Sequence, residues 1–249
     1  MRKLKYLFIL LTICLIIAYW DAPFENRELK QIDRSCVVYY LLNIDGMKGL
    51  GHTVLMLQDE KGNAQIFSYN GMQYSLLECL LGKAGVGKMK VFTLTKAEKD
   101  AFLLSGNLQV EDTAECDNFD RMLYRYISRE EFEQIQKEVE KYIITGTEYE
   151  KLYAIYYNTT VEGKKIAADE LNAFLNQEGL LKYQIYTHNC DTVARELIAI
   201  IDKEVREFNI NEKRLTPTDN YLGLCNIVGE TWGYKKIGED TLIEHFFWK

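Results

Sequence analysis

Histidine is scarce in this chain: 249 residues contain only 3. Any chemistry that needs an imidazole at neutral pH must therefore use His52, His188 or His245. Proline is nearly absent, with 2 residues, and no stretch is rich in Pro, Gly or Ser, so an extended linker protein is excluded. Positive charge is also in deficit. Lys and Arg total 30 against 37 Asp and Glu, a net charge of -7, which argues against a protein that holds nucleic acid by neutralising phosphates. There is no H-E-x-x-H, no G-x-S-x-G and no C-x-x-C, so zinc-protease, serine-hydrolase-elbow and zinc-knuckle readings lack an anchor. What is abundant is apolar and aromatic material, 47% and 12% of the residues, enough for a sizeable core.

Residues 1–20 differ from the rest. Arg2, Lys3 and Lys5 precede an apolar run from Tyr6 to Trp20, broken only by Thr12. Around Ala18 and Ala22 no clean small-x-small cleavage site is found, and Ile13 is too bulky to precede a lipidated Cys14. The segment reads as a signal-anchor, with Tyr19 and Trp20 at the outer interface and the cations inside. That reading predicts a single-pass membrane protein whose remaining chain lies outside the cytoplasm, or a secreted one if the segment is cleaved. Five cysteines follow it, Cys36, Cys79, Cys116, Cys190 and Cys225, an odd number that leaves at least one thiol unpaired within the chain.

From Ser35 the pattern turns strand-like. Residues 36–42 are β-branched and aromatic, and 51–57 and 64–71 flank the turn Asp59-Glu60-Lys61-Gly62-Asn63 as a hairpin. Residues 88–94 form another strand. Residues 95 to about 180 read as helical, with a capping box at Ser128-Arg129-Glu130-Glu131 and a further helix over 167–177. A short run at 183–186 leads to an amphipathic helix from Cys190, and another helix follows Pro217. The expected domain spans 35–249 as an α+β fold, with 95–180 as a helical insertion.

Two motifs have bland readings. Gly82–Lys88 has the spacing G-x-x-x-x-G-K, but Met89 replaces the magnesium-binding Ser or Thr and a strand follows instead of a helix, so it is a glycine-rich connection. Asn158-Thr159-Thr160 matches a glycosylation triplet too short to carry weight. No cofactor or metal is expected.

Cys190 opens a helix after a polar turn, where the first amides and the helix dipole favour a thiolate. His52 follows a glycine inside an apolar strand, where an imidazole needs a partner or a task. Gly51-His52 opening a strand, the hairpin partner ending Phe67-Ser68-Tyr69-Asn70-Gly71, and Asn189-Cys190 opening a late helix resemble the circularly permuted papain-like enzymes of the NlpC/P60 superfamily. Relatives of that branch include LRAT-like acyltransferases and envelope cysteine domains. The resemblance covers roughly residues 35–94 and 183–230.

It implies an antiparallel sheet packed on a nucleophile-bearing helix. It makes Cys190 the nucleophile, His52 the general base and acid, and a polar residue of the next strand the group that orients the imidazole. Hairpin pairing brings Ser68, Tyr69 and Asn70 opposite His52, and Asn70 is chosen because its amide can accept from the ring. The function implied is a membrane-anchored extracytoplasmic cysteine hydrolase, a thiol peptidase or amidase. It would cut an amide bond of a cell-envelope, peptidoglycan-like peptide through a thioester. The rivals are an acyltransferase using the same residues on a lipid or lipoprotein, and a non-catalytic envelope binding module. The partners expected are an envelope peptide or acyl substrate and the membrane, not nucleic acid.

Overall fold

A computed structural model describes residues 26–32, 35–46, 51–72, 82, 85–108, 118–143, 182–212 and 214–237. Their centre is β1, Cys36–Asn43, buried along its whole length. It is flanked on one side by β2, His52–Gln58, and on the other by β5, Arg121–Ile127. A strand covered on both faces reads as a continuous apolar run, which is what CVVYYLLN is. The β2 strand turns back into β3, Ala64–Met72, through a tight turn. There Asp59 Oδ1 accepts from the backbone N–H groups of Lys61 and Asn63, and Gly62 takes φ of 88°. Next come β4, Gly85–Leu94, and the two-residue β6, Lys182–Tyr183. On the far side β7, Gly233–Lys236, pairs with β5. The seven strands run in the order β6-β4-β3-β2-β1-β5-β7, and every pairing is antiparallel.

Strand alternation sorts the core into two faces. Val38, Tyr40 and Leu42 of β1 with Leu55 and Leu57 of β2 meet one layer of helices. These are α2, Arg129–Val139; α3, Cys190–Ile198; α4, Lys203–Asn211; and α5, Pro217–Ile227. Phe132, Leu197, Phe208 and Leu224 are their inward residues. The opposite face, with Tyr39, Leu41, Val54 and Met56, is covered by α1, Lys96–Ser105, through Phe102, and by the segment around Leu29. Both α1 and α2 start with a full capping box, Thr95 with Glu98 and Ser128 with Glu131.

An α+β antiparallel architecture is present, and three expectations about it need correction. The stretch 95–180 is not a helical insertion, because it supplies β5, which pairs with β1 from Cys36↔Ile127 to Leu42↔Arg121 and so lies inside the sheet. Its arginines disguise it in the sequence, yet both are taken into the fold. Arg121 is 6% exposed, and Arg125 pairs with Asp202 and Glu131. The permuted papain-like assignment is also corrected, since the helix that carries Cys190 and the strand that begins at His52 do not assemble that family's catalytic pair, as described below.

The third correction concerns the membrane. Among the described residues no helix is long and apolar enough to cross one. The single-pass topology, the attachment through an N-terminal helix and the extracytoplasmic placement drawn from them therefore find no support among the described residues; residues 1–20 themselves lie outside the described residues. Also outside them are the helix expected over 167–177, the Asn158 triplet, Cys79, Cys116, His245 and the aromatic terminus. The glycine-rich connection does lead into a strand, because β4 starts at Gly85.

Candidate functional site

His52 is the first residue of β2, and the chain reaches it through Gly51, whose φ is 91°. A side chain at Gly51 is also blocked by space. A β-carbon there would lie 2.8 Å from Thr218 Oγ1 at the start of α5, so glycine is required on both counts. His52 pairs with Asn43, placing its ring on the face of Leu41 and Val54, away from α3. The ring neighbours Phe119 of that same face, with centroids 6.5 Å apart. It is 8% exposed.

On this face His52 meets Ser68. Nε2 and the hydroxyl Oγ are 3.4 Å apart, and the Asn70 side-chain amide donates to the same Oγ at 2.9 Å. Of the hairpin residues expected opposite His52, Ser68 is therefore its direct neighbour, Asn70 stands one hydrogen bond behind, and Tyr69 points to the other face. The row continues across β1. Asn43 follows His52, and Asp120, one residue before β5, aligns with Asn43 by the register of the β1–β5 pair. Asp120 accepts from the Ile44 backbone N–H at 2.7 Å and is 3% exposed. Burial pushes its carboxyl up to about 6, assisted by the negative charge of Asp45, although the Ile44 N–H acts in the opposite direction. Asp120, Asn43, His52, Ser68 and Asn70 thus form a polar row at one end of four neighbouring strands, beside the apolar side chains of Leu41, Val54 and Phe119.

Cys190 occupies the first position of α3, where Asn189 caps the helix by accepting from the Thr192 N–H. It is 2% exposed and not disulfide-bonded. The next residue, Asp191, is the hub of a buried network. It pairs with Arg195 one turn on at 2.9 Å, accepts from Asn220 of α5 at 2.9 Å, and accepts the hydroxyl proton of Tyr40. Thr53, the residue after His52, reaches Tyr40 from β2 at 3.5 Å. The start of α3 therefore sits over Thr53 on the opposite face from His52. Burial, with the Asp191 charge beside it, holds the Tyr40 phenol well above its usual range, so Tyr40 serves as a donor.

The two residues expected to form a nucleophile–base pair are consequently at the same end of β2 but on opposite sides of the sheet. His188 offers no substitute near His52. Its ring lies against Tyr69 at 5.4 Å and Tyr142 at 6.4 Å, on the helix-covered side. Two more of the expected thiols, Cys36 and Cys225, are buried and free, and burial raises both, Cys225 to about 12. Among the described residues no three His, Cys, Asp or Glu side chains gather to hold a metal.

Sequence reading missed Asp120 and Asn43. Neither belongs to a motif, and only the strand register brings them beside His52. The i,i+4 spacing of Asp191 and Arg195 is the one signal in the sequence for the buried pair they form.

No family model, curated protein or solved structure matches the chain. The NlpC/P60 assignment has no support from these comparisons. With no spanning helix among the described residues, the membrane anchoring of the envelope hydrolase reading and the membrane partner are unsupported.

Proposed function

We propose that this chain is a hydrolytic enzyme of the acid–base type, with His52 as the base and Asp120 as the proton donor, acting on an ester or amide. The observation that carries the reading is the 3.4 Å contact between His52 Nε2 and Ser68 Oγ, backed by Asn70 at 2.9 Å. The Ser68 hydroxyl orients the ring, and the imidazole takes a proton from the attacking water. The contact is looser than the roughly 2.6–3.2 Å of a working catalytic bond, as is common before substrate is bound.

Asp120 stands two strand spacings from His52, about 10 Å between Cα atoms, which leaves room for a scissile bond between them. Its carboxyl keeps its proton up to about pH 6 and can deliver it to the leaving group. Water loses a proton to His52 as it attacks the carbonyl carbon. The bond to the leaving oxygen or nitrogen then breaks as Asp120 protonates it. Return of the His52 proton to Asp120 through solvent restores the site.

The test is a panel of p-nitrophenyl esters and p-nitroanilides offered to the full chain. The account requires turnover that falls as pH rises through about 6, because Asp120 must be protonated. A rate that stays level or climbs from pH 6 to 8 overturns the acid assignment.

A further inference from the structure

At the other end of β1 and β2, about 20 Å along the strands from His52, the same sheet face opens into a cleft of about 520 Å³. That volume lies in the range of small-molecule sites. Its wall is aromatic. Tyr39 and Tyr124 stack with centroids 6.2 Å apart, and Tyr126 meets Tyr124 edge-on at 6.3 Å.

Its polar corner is built from Gln58 and Lys99. Gln58 Oε1 accepts from the Tyr39 hydroxyl and from Lys99 Nζ, each at 2.8 Å. With the oxygen engaged from two sides, the amide Nε2 of Gln58 is left to donate into the cleft. Lys99 is 6% exposed, an unusual depth for an ammonium. It uses one N–H on Gln58 and one on Asp100 at 2.8 Å, and an ammonium has three. Gln58 and Lys99, each with a donor beyond these bonds, thus stand side by side in the lining of the cleft next to an aromatic wall. Lining lysines outnumber lining carboxylates, four to three, in a chain whose net charge is -7.

We infer that this cleft binds a small aromatic carboxylate, with its ring along the tyrosine wall and its carboxylate on Gln58 Nε2 and Lys99 Nζ. The site is separate from the His52 row, and its test does not depend on catalysis.

The full chain is titrated with 4-hydroxybenzoate and followed by heteronuclear NMR, with cyclohexanecarboxylate and benzamidine in parallel. The decisive variant is Gln58→Glu. It retains the oxygen that Tyr39 and Lys99 need, so the fold is kept, but it replaces the amide donors with a negative charge. Saturable binding of 4-hydroxybenzoate on the order of 1 mM or tighter is expected, with shifts at the cleft residues. Gln58→Glu should weaken it at least tenfold, while benzamidine binding improves. Absence of saturable binding to the native chain, or equal affinity in Gln58→Glu, overturns the site. Equal affinity for cyclohexanecarboxylate overturns the aromatic specificity.

Discussion

His52 and Cys190 stand at the same end of β2 on opposite faces of the sheet, linked by neighbouring residues and not to each other. His52 faces Ser68, and the next residue, Thr53, faces Tyr40 and through it Asp191, beside the thiol. One strand residue of displacement is enough to place two chemistry-bearing side chains in separate environments.

The Asp191–Arg195 pair lies within α3, where both side chains are 1% exposed, and Asp191 ties the helix to the sheet by accepting from the Tyr40 hydroxyl. Asp191→Ala leaves a buried guanidinium without its counter-charge and should cost about 3–5 kcal/mol. The pair replaced together by Leu and Met should recover much of that loss. Urea unfolding of the two variants measures both; equal losses would show that the charge pairing is immaterial.

Asp120 imposes a pH dependence of definite sign. Its folded carboxyl is raised to about 6 from 3.8, so between those values the folded state holds more protons than the unfolded one. The stability contributed by this residue is therefore present at low pH and lost as pH climbs through about 6. Asp120→Asn keeps an oxygen for the Ile44 N–H without the charge. Its stability relative to the native chain should improve between pH 4 and pH 7, by on the order of 1–3 kcal/mol. Unfolding curves at the two pH values that differ by the same amount in both proteins would contradict this.

Gly87 carries a packing constraint. A β-carbon there would come within 2.0 Å of the Tyr69 hydroxyl oxygen, whose ring packs against Tyr142, Tyr183 and His188. Gly87→Ala should lower stability by about 1–3 kcal/mol, read as a drop in the thermal midpoint. An unchanged midpoint would mean that the tyrosine cluster yields readily.

Much of the sheet was legible in the sequence because β1, β2 and β3 bury apolar side chains at strand spacing, and Asp59–Asn63 carries the chemistry of a tight turn. The helix starts at Ser128, Cys190 and Pro217 were legible from their caps. By contrast, β5 was hidden because Arg121 and Arg125 look like solvent-facing charge until Asp202 from a distant segment and Glu131 from the helix that follows pair with Arg125. The candidate site was half visible. Hairpin pairing brought Ser68 and Asn70 to His52, but it could not say which side of the sheet α3 would cover. That choice belongs to the packing of Val193, Leu197 and Ile198 against the β1 face of Val38 and Tyr40. Asp120 reached the row only through a strand pairing that the sequence does not announce.

The central claim is that chemistry runs through His52 as held by Ser68, and the most direct measurement is the hydrolysis rate of the native chain against His52→Ala, Ser68→Ala and Cys190→Ala, with folding checked by circular dichroism. The account predicts a loss of about 100-fold or more without the imidazole, on the order of tenfold without the Ser68 hydroxyl, and little change without the thiol. Full turnover in His52→Ala, or its abolition in Cys190→Ala with the other two intact, would contradict it.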